Sequence, residues 1–526
     1  MIAEEPTTYE EAMDSVDYDK WQLAIMEEHQ SIVDAGVWEV SDLPKGRKPI
    51  KSRWLFRIKL NADGSIERYK ARLVAKGYSQ QYGIDYDETY APVSRYDSLR
   101  YLIAIAGQFK LLLEQLDIKT AFLNGELDEE IWVQPPPGIG LEGKYLRLRK
   151  ALYGLKQAPL KWYEKFASVL ISLGYQSLQF DPCMFVYNPT TGNPAINLAI
   201  VVIYVDDITV AGSRQEIDRL TAGLKENFQV TVKGSLNWLL GIEIIQSRES
   251  ITLNQKGYAE RILKKFGYGD LKPVATLLDT SVKLVKATED EAAIDTTDYQ
   301  RKVGSLLYLV TGTRPDLAFA LSVLSQFSSH PLAAHHQALK RVFRYLSGTK
   351  HYQLKYEKAK PANPANLANP AHLQLTCYTD ASYANCLDTR KSWSGYCIYL
   401  GNSLIAWYSK KQTSVSVSTS ESEYVALSIA ARQAAWYTNG SNEMGLSSTA
   451  VIYCDNTAAI AISENPGSNS SRSKHIDIHH HFVRDHVRQG RLSVKYVDTS
   501  DNLADICTKG LAKGLHERLV SKLMDW

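Results

Sequence analysis

A chain of several mixed α+β and α/β domains is the fold class this sequence predicts, on three observations. Its 526 residues exceed what one apolar core accommodates, which favours two to four domains. Segments 53–60 and 66–75 alternate basic and apolar residues around Asn61-Ala62-Asp63-Gly64, and the Asp-Gly step supplies the positive φ of a tight hairpin turn. From residue 373 onward short β-branched runs alternate with longer helical ones, at the size of one small mixed-sheet domain.

Taken in chain order, Trp21, Ile25, Met26, His29 and Ile32 recur at helical spacing within 9–40 and predict an amphipathic helix leading into a strand. In the hairpin, Trp54, Phe56 and Ile58 share one face. Arg53, Arg57, Lys59, Arg68, Lys70 and Arg72 fall on the other, giving either a concentrated basic surface or an ordinary solvated strand face. Helix is predicted over 98–113, strand over 116–118, and helix again over 153–173 after the Pro135-Pro136-Pro137-Gly138 loop. Strands at 183–187 and 196–204 flank a connector rich in Pro, Gly and Asn. Residues 299–347 read as helices, with Arg314-Pro315-Asp316 marking a restart. The repetitive, uncharged stretch 358–372 cannot bury a core and reads as a linker. Beyond it come strands at 373–378, 394–400 and 403–409, helix 419–443, strand 451–454, helices 458–463 and 476–489, strand 492–496 and a last helix.

Composition excludes several classes. With 44% hydrophobic and 22% charged residues, disorder is not the theme. The net charge of +2 means that any nucleic-acid surface must come from local segregation of charge. Six cysteines without a C-x-x-C pair predict neither a disulfide framework nor a zinc knuckle, and point to a reducing, intracellular setting. No apolar run approaches membrane-spanning length, and Met1-Ile2-Ala3-Glu4-Glu5 does not begin a signal peptide, so no membrane partner is expected.

Tyr204-Val205-Asp206-Asp207 closes the most apolar strand, and Ile208-Thr209-Val210 continues in β-branched residues, which places both aspartates at a hairpin tip. Adjacent carboxylates there repel unless cations offset them. Asp117, on the Leu116-Asp117-Ile118 strand, supplies a third acid, and three acids suit the two metals of nucleotidyl transfer. These residues sit in recognisable company: Tyr69-Lys70-Ala71-Arg72-Leu73-Val74-Ala75-Lys76-Gly77, Leu116-Asp117-Ile118-Lys119-Thr120-Ala121-Phe122-Leu123-Asn124-Gly125, Tyr153-Gly154-Leu155-Lys156-Gln157-Ala158-Pro159 and the Tyr204–Asp207 tetrapeptide. In type and order the four segments resemble the fingers and palm motifs of copia-type reverse transcriptases from long-terminal-repeat retrotransposons.

The resemblance implies that Asp117, Asp206 and Asp207 hold two Mg²⁺ ions, with Mn²⁺ as the alternative. It implies that Phe122 gates against a ribose 2′ hydroxyl and that Gln157 lies beside the incoming deoxynucleoside triphosphate. For Phe122 by itself a core aromatic is the default reading, and its spacing from Asp117 is what raises the gate. Lys70 and Arg72 are its candidates for triphosphate contact, a one-residue slip exchanging their roles.

A second acid set follows the linker. Asp380 ends a strand, Glu421 and Glu423 lie near a helix N-terminus, Asp455 follows the Val451–Cys454 strand, and Asp505 lies in Asn502-Leu503-Ala504-Asp505. Glu421 reads as a first-turn acid favoured by the helix dipole. In this strand and helix order Asp380, Glu423, Asp455 and Asp505 resemble the acid signature of ribonuclease H, which implies two further metals. Where relatives carry a histidine before the last aspartate, this chain reads Val497-Asp498-Thr499-Ser500-Asp501. Upstream, His475 and His479 in the histidine-rich stretch ending at His481 have zinc-compatible spacing but no clear third ligand, so substrate-facing or structural roles are favoured.

The resemblance implies a right-hand polymerase with fingers, palm and thumb, a connection region and a ribonuclease H-like domain. It divides the chain into a helical lead-in (1–34), the polymerase (35–278), a helical connection (279–357), a linker (358–372), the ribonuclease H-like domain (373–515) and a tail (516–526). The implied function is RNA-directed and DNA-directed DNA synthesis with removal of RNA from the hybrid. The implied partners are an RNA template, a DNA or tRNA primer, the RNA–DNA hybrid, and the element's integrase and capsid proteins, in cytoplasmic particles and later the nucleus. The basic hairpin and Lys340, Arg341 and Arg344 are the expected phosphate contacts. No integrase, protease or capsid motif is found, which leaves a binding-only remnant, or a nuclease without polymerase activity, as the rival readings.

Overall fold

The computed structural model describes residues 5–60, 65–141, 143–188, 197–288, 291, 294–358, 372–464 and 482–526. The predicted Asp63-Gly64 turn, nearly all of the 358–372 linker and the His475–His481 stretch lie outside these residues.

Two helices, Tyr9–Met13 and Tyr18–Asp34, open the chain. Trp21, buried in the first turn of the second, meets Phe56 and Tyr69 edge to face at 5.2 and 4.7 Å, which docks it on the apolar face of the hairpin. The hairpin strands Ser52–Leu60 and Ile66–Ala75 pair antiparallel, with Arg57 opposite Lys70 and Lys59 opposite Arg68. Like charges directly across a ladder are unfavourable, so the basic surface predicted from the alternation is real and exists at a cost in stability. A small sheet of Trp38–Ser41, Tyr145–Leu148 and Trp132–Val133 supports the hairpin.

The central sheet is antiparallel and six-stranded, in the order Val230–Ser235, Leu112–Ile118, Asp207–Gly212, Ala199–Tyr204, Met184–Tyr187, Gln176–Ser177. Its alternation splits the apolar residues cleanly. Val201, Ile203, Ile208 and Val210 pack with helices Ala158–Ser172 and Arg214–Lys225, while Ile200, Val202, Met184 and Val186 pack with helix Tyr96–Phe109.

Two predicted helix boundaries move by four residues or more. The first helix stops at Phe109 instead of 113, because Lys110 enters the left-handed region at φ 56° and Leu112 already belongs to the next strand. Three consecutive leucines at 111–113 carry no period that separates helix from strand. The second starts at Ala158 instead of 153, just before Pro159. Gly154 there holds φ +90°, and a Cβ on it would lie 2.2 Å from the Ala75 carbonyl oxygen. The 153–157 stretch is thereby a turn pressed against the hairpin.

A four-stranded sheet follows, Trp238–Leu239, Ile242–Gln246, Ser250–Asn254 and Leu354–Glu357, with helices Lys256–Lys265, Thr296–Gly312 and Ala333–Gly348 forming a core of their own. The last domain is a mixed five-stranded sheet ordered Ser403–Lys411, Trp393–Leu400, His372–Ser382, Ser447–Cys454, Leu492–Tyr496. Its first three strands are antiparallel and its last two run parallel to the central one, beneath helix Thr419–Glu443. A six-stranded antiparallel sheet flanked by helices, a helical core beside a small sheet, and a mixed five-stranded sheet thus follow one another in the order that the resemblance implies. No described helix is long and apolar enough to cross a membrane.

The last domain is joined to the central sheet by a continuous apolar core. Phe180 stacks on Trp436 with ring centroids 3.8 Å apart, and Tyr101 reaches Tyr437 and Ser441. Arg100, itself buried, donates to the carbonyls of Ile405 (2.8 Å), Thr311 (2.7 Å) and Gly312 (3.0 Å), pairs with Asp97 and lies 4.0 Å from the Trp407 ring. One guanidinium thus ties three parts of the chain together. Arg100→Met removes the donor and strands those carbonyls and Asp97, so a loss of about 3 kcal/mol is expected in the urea unfolding of the full chain.

Candidate functional site

The Ala199–Tyr204 and Asp207–Gly212 strands are joined by a turn whose second residue, Val205, lies at φ +59°. A β-branched side chain there is strained by about 1–2 kcal/mol. Trp162 holds the turn by donating from Nε1 to the Val205 carbonyl at 2.6 Å. Asp207 stands opposite Asp117 across the ladder, so folding brings the distant strand to the Asp206 turn. The acids are already occupied: Lys233 Nζ lies 2.8 Å from Asp117 Oδ1, and Gln115 donates to Asp207 Oδ1 at 3.0 Å. Burial, then the neighbouring Asp206 carboxylate, pushes the Asp207 carboxyl above its ordinary range.

These acids open into a cavity of about 1110 Å³ whose other wall is the basic hairpin face, with Lys59, Arg68, Lys70 and Arg72. Burial, and then Arg72 and Arg68, holds the Lys70 ammonium below its usual value. Phe122 and Gln157 are placed differently from the sequence expectation. Phe122 does not line the cavity but packs edge to face on Tyr153, with centroids 4.9 Å apart, and Tyr153 does line it, 5.0 Å beneath the Arg72 guanidinium. Gln157 is fully buried, accepting from Gln80 at 2.9 Å and donating to the Asp85 carbonyl at 2.7 Å. Arg341 and Arg344, expected to meet phosphate, instead donate to Thr276 and to the Lys272 carbonyl. Tyr153, Gln115 and Lys233 are site residues the sequence reading gave no role. Tyr153 stood inside a quoted motif, whereas Lys233 lies on a strand with no acid or motif to flag it.

The second acid cluster is deeper. Asp380, fully buried, takes the Thr508 hydroxyl on Oδ2 and Lys509 Nζ on Oδ1 at 3.1 Å. Lys509 also reaches Asp505 Oδ1 at 2.9 Å. Glu423 accepts from the Ala381 N–H at 3.0 Å, and Asp455 from the Thr499 hydroxyl at 2.8 Å. Carboxylate oxygens of Asp380, Asp455 and Asp505 lie within 4.8 Å of one another, as do ligand atoms of Glu423, Cys454 and Asp455. Asp455 is therefore the hinge of the set. Among the described residues the Asp117, Asp206 and Asp207 oxygens are not gathered that closely. Glu421 accepts from the Val417 N–H at 2.8 Å in the first helical turn, as its dipole reading requires. The donors of the second cluster, hard oxygens on converging elements, fit Mg²⁺ or Mn²⁺, and those of the first have the right chemistry.

Residues 35–279 match the family model described as reverse transcriptase (RNA-dependent DNA polymerase). The retrovirus-related Pol polyprotein from transposon TNT 1-94 of Nicotiana tabacum is 36% identical over 525 residues, covering 98% of this chain and 38% of that protein. This chain thus spans little more than a third of that relative's length. A putative transposon Ty5-1 protein of Saccharomyces cerevisiae is 33% identical over 319 residues, 60% of this chain and 98% of its own. Among solved structures, the foamy viral protease-reverse transcriptase in complex with RNA/DNA hybrid aligns at 12% identity and a TM-score of 0.45, covering 91% of this chain and 54% of that one.

Glycine relieves the strain at 205, so Val205→Gly should raise or leave unchanged the melting temperature while slackening the turn that carries Asp206, and calorimetry beside primer extension separates the two effects. Burial, then Asp380 and Asp455, pushes the Glu423 carboxyl from 4.5 up to about 9. Between those values the folded state keeps a proton that the unfolded state has lost. Its stabilisation is therefore full below about pH 4.5 and disappears as pH rises through 9. In EDTA the melting temperature should fall from pH 6 to pH 9, and Glu423→Gln should flatten that slope.

Proposed function

The chain belongs to the copia-type retrotransposon Pol family as its reverse transcriptase and ribonuclease H region, and on that premise we propose that it copies an RNA template, then DNA, into DNA and removes the RNA strand from the hybrid. The observation that carries this reading is the pairing of Asp117 with Asp207 beneath a basic wall, with a second acid cluster on the ribonuclease H-like sheet.

Asp117, Asp206 and Asp207 would hold one pair of divalent cations, and Asp380, Glu423, Asp455 and Asp505 another. When bound, such ions activate the attacking oxygen and neutralise the leaving group, Mg²⁺ being the natural choice and Mn²⁺ the alternative. The chain's own residues do the rest. Lys70 and Arg72 face the acids across the cavity and bind the triphosphate of the incoming deoxynucleotide. Tyr153 forms the surface on which its sugar rests, and Phe122, one layer behind, fixes the tilt of that ring, so Phe122 gates through Tyr153. Gln157 ties the 80–85 loop to the start of the Ala158–Ser172 helix. Trp162 fixes the turn on which Asp206 is presented. In the ribonuclease H centre Thr508 orients Asp380, and the Ala381 N–H orients Glu423 toward the scissile phosphate.

The nucleic-acid partners are the RNA template, a DNA or tRNA primer and the resulting hybrid, met through phosphates on the hairpin face. The element's integrase and capsid proteins complete the setting, in cytoplasmic particles and then the nucleus.

Primer extension and hybrid cleavage on one defined RNA–DNA substrate test this. Asp206→Asn should lower deoxynucleotide incorporation by roughly a hundredfold or more while sparing cleavage, and Asp380→Asn should do the reverse. Wild-type protein that shifts the hybrid in a gel yet neither extends nor cleaves it is a binder and not this enzyme.

A further inference from the structure

The four ribonuclease H acids pose a charge problem that the chain answers with a cation of its own. The Asp380 side chain is 1% exposed and that of Asp505 4%, so water cannot offset their charge. A buried carboxylate is then either paired or protonated. Lys509 supplies the pairing, its ammonium lying 3.1 Å from Asp380 and 2.9 Å from Asp505. Its own side chain keeps 33% exposure, so the flexible stem has a path to solvent. Lys509 is four residues past Asp505 and its N–H bonds to the Asp505 carbonyl at 3.0 Å, so the ammonium can leave by side-chain rotation without moving the backbone that carries Asp505.

The polymerase cluster supplies a contrast. Lys233 pairs with Asp117 at 2.8 Å, but the two side chains are 43% and 38% exposed, and water screens most of that interaction. Only at the second cluster does a lysine sit between two enclosed carboxylates.

We propose that Lys509 is a tethered counter-cation that holds Asp380 and Asp505 together before metal arrives and must leave for a divalent ion to take the same oxygens. This rests on the reading of the four acids as metal ligands. Loading of the ribonuclease H centre is then an exchange of one cation for another. The affinity for metal is set lower than the acids alone would give, and the empty centre stays folded without it. Lys509 is in this sense a positioning residue for Asp380 and Asp505.

The experiment is Mn²⁺ binding to the full chain, followed by the paramagnetic resonance signal of the free ion at pH 8. Asp206→Asn is present throughout to weaken the polymerase cluster. Thermal unfolding in EDTA and in saturating Mg²⁺ accompanies it. Lys509→Gln should bind Mn²⁺ about tenfold more tightly than the parent, because it removes the competitor. Lys509→Gln should also melt below the parent in EDTA, with the deficit closing in Mg²⁺ as bound metal replaces the lost charge. Lys509→Arg keeps the charge and should bind no more tightly than the parent. Equal Mn²⁺ affinity of Lys509→Gln and the parent, or a melting deficit that is the same with and without Mg²⁺, overturns the proposal. An Mn²⁺ isotherm unchanged by Asp380→Asn is a separate result, and it overturns the ligand assignment itself.

Discussion

Repulsion between carboxylates that folding must bring close is the constraint around which this molecule is arranged. At the first cluster the cost is moderated by partial exposure and by Gln115 and Lys233. At the second, deeper in the protein, it takes a hydroxyl, a backbone amide, a lysine and retained protons to make the arrangement tolerable. The same logic applies on the hairpin, where Arg57 stands opposite Lys70 and Lys59 opposite Arg68, with Glu5 on Arg57 as a local offset. Each surface is destabilising alone, and on the reading proposed above each is relieved by what binds it, cations for the acids and phosphates for the hairpin.

Strain of another kind is concentrated at the Val205 turn. A left-handed β-branched residue persists only where its surroundings over-determine it, and Trp162 together with the two flanking strands does so. The turn therefore derives its geometry from a helix far along the chain instead of from its own sequence preference.

Much of this was legible in the sequence. The hairpin and its two faces follow from strict alternation, the Thr419–Glu443 helix and the Leu492–Tyr496 strand from strong local patterns, and the acid positions from ordered motifs. What escaped was long-range. The Leu354–Glu357 strand completes a sheet begun a hundred residues earlier, which no local window reveals. Phe122 and Gln157 sit in the right motifs, but a motif fixes neither the side chain's direction nor which neighbour stands in front of it, and Tyr153 does. Arg341 and Arg344 looked like free charge on a helix and turned out to brace the 272–276 segment. Lys509 was hidden because an i,i+4 lysine after an aspartate is an ordinary helical pair until the second carboxylate, from a strand more than a hundred residues away, arrives beside it.

The stacking of Phe180 on Trp436 and the Arg100 bridge weld the five-stranded mixed sheet to the central antiparallel one. On the reading proposed above, two centres joined by one packed core would meet a duplex at a constant stagger. The seam would then act as a ruler, the trailing length of intact hybrid being set by packing instead of by timing. Loosening that seam would blur the ruler without touching either set of acids.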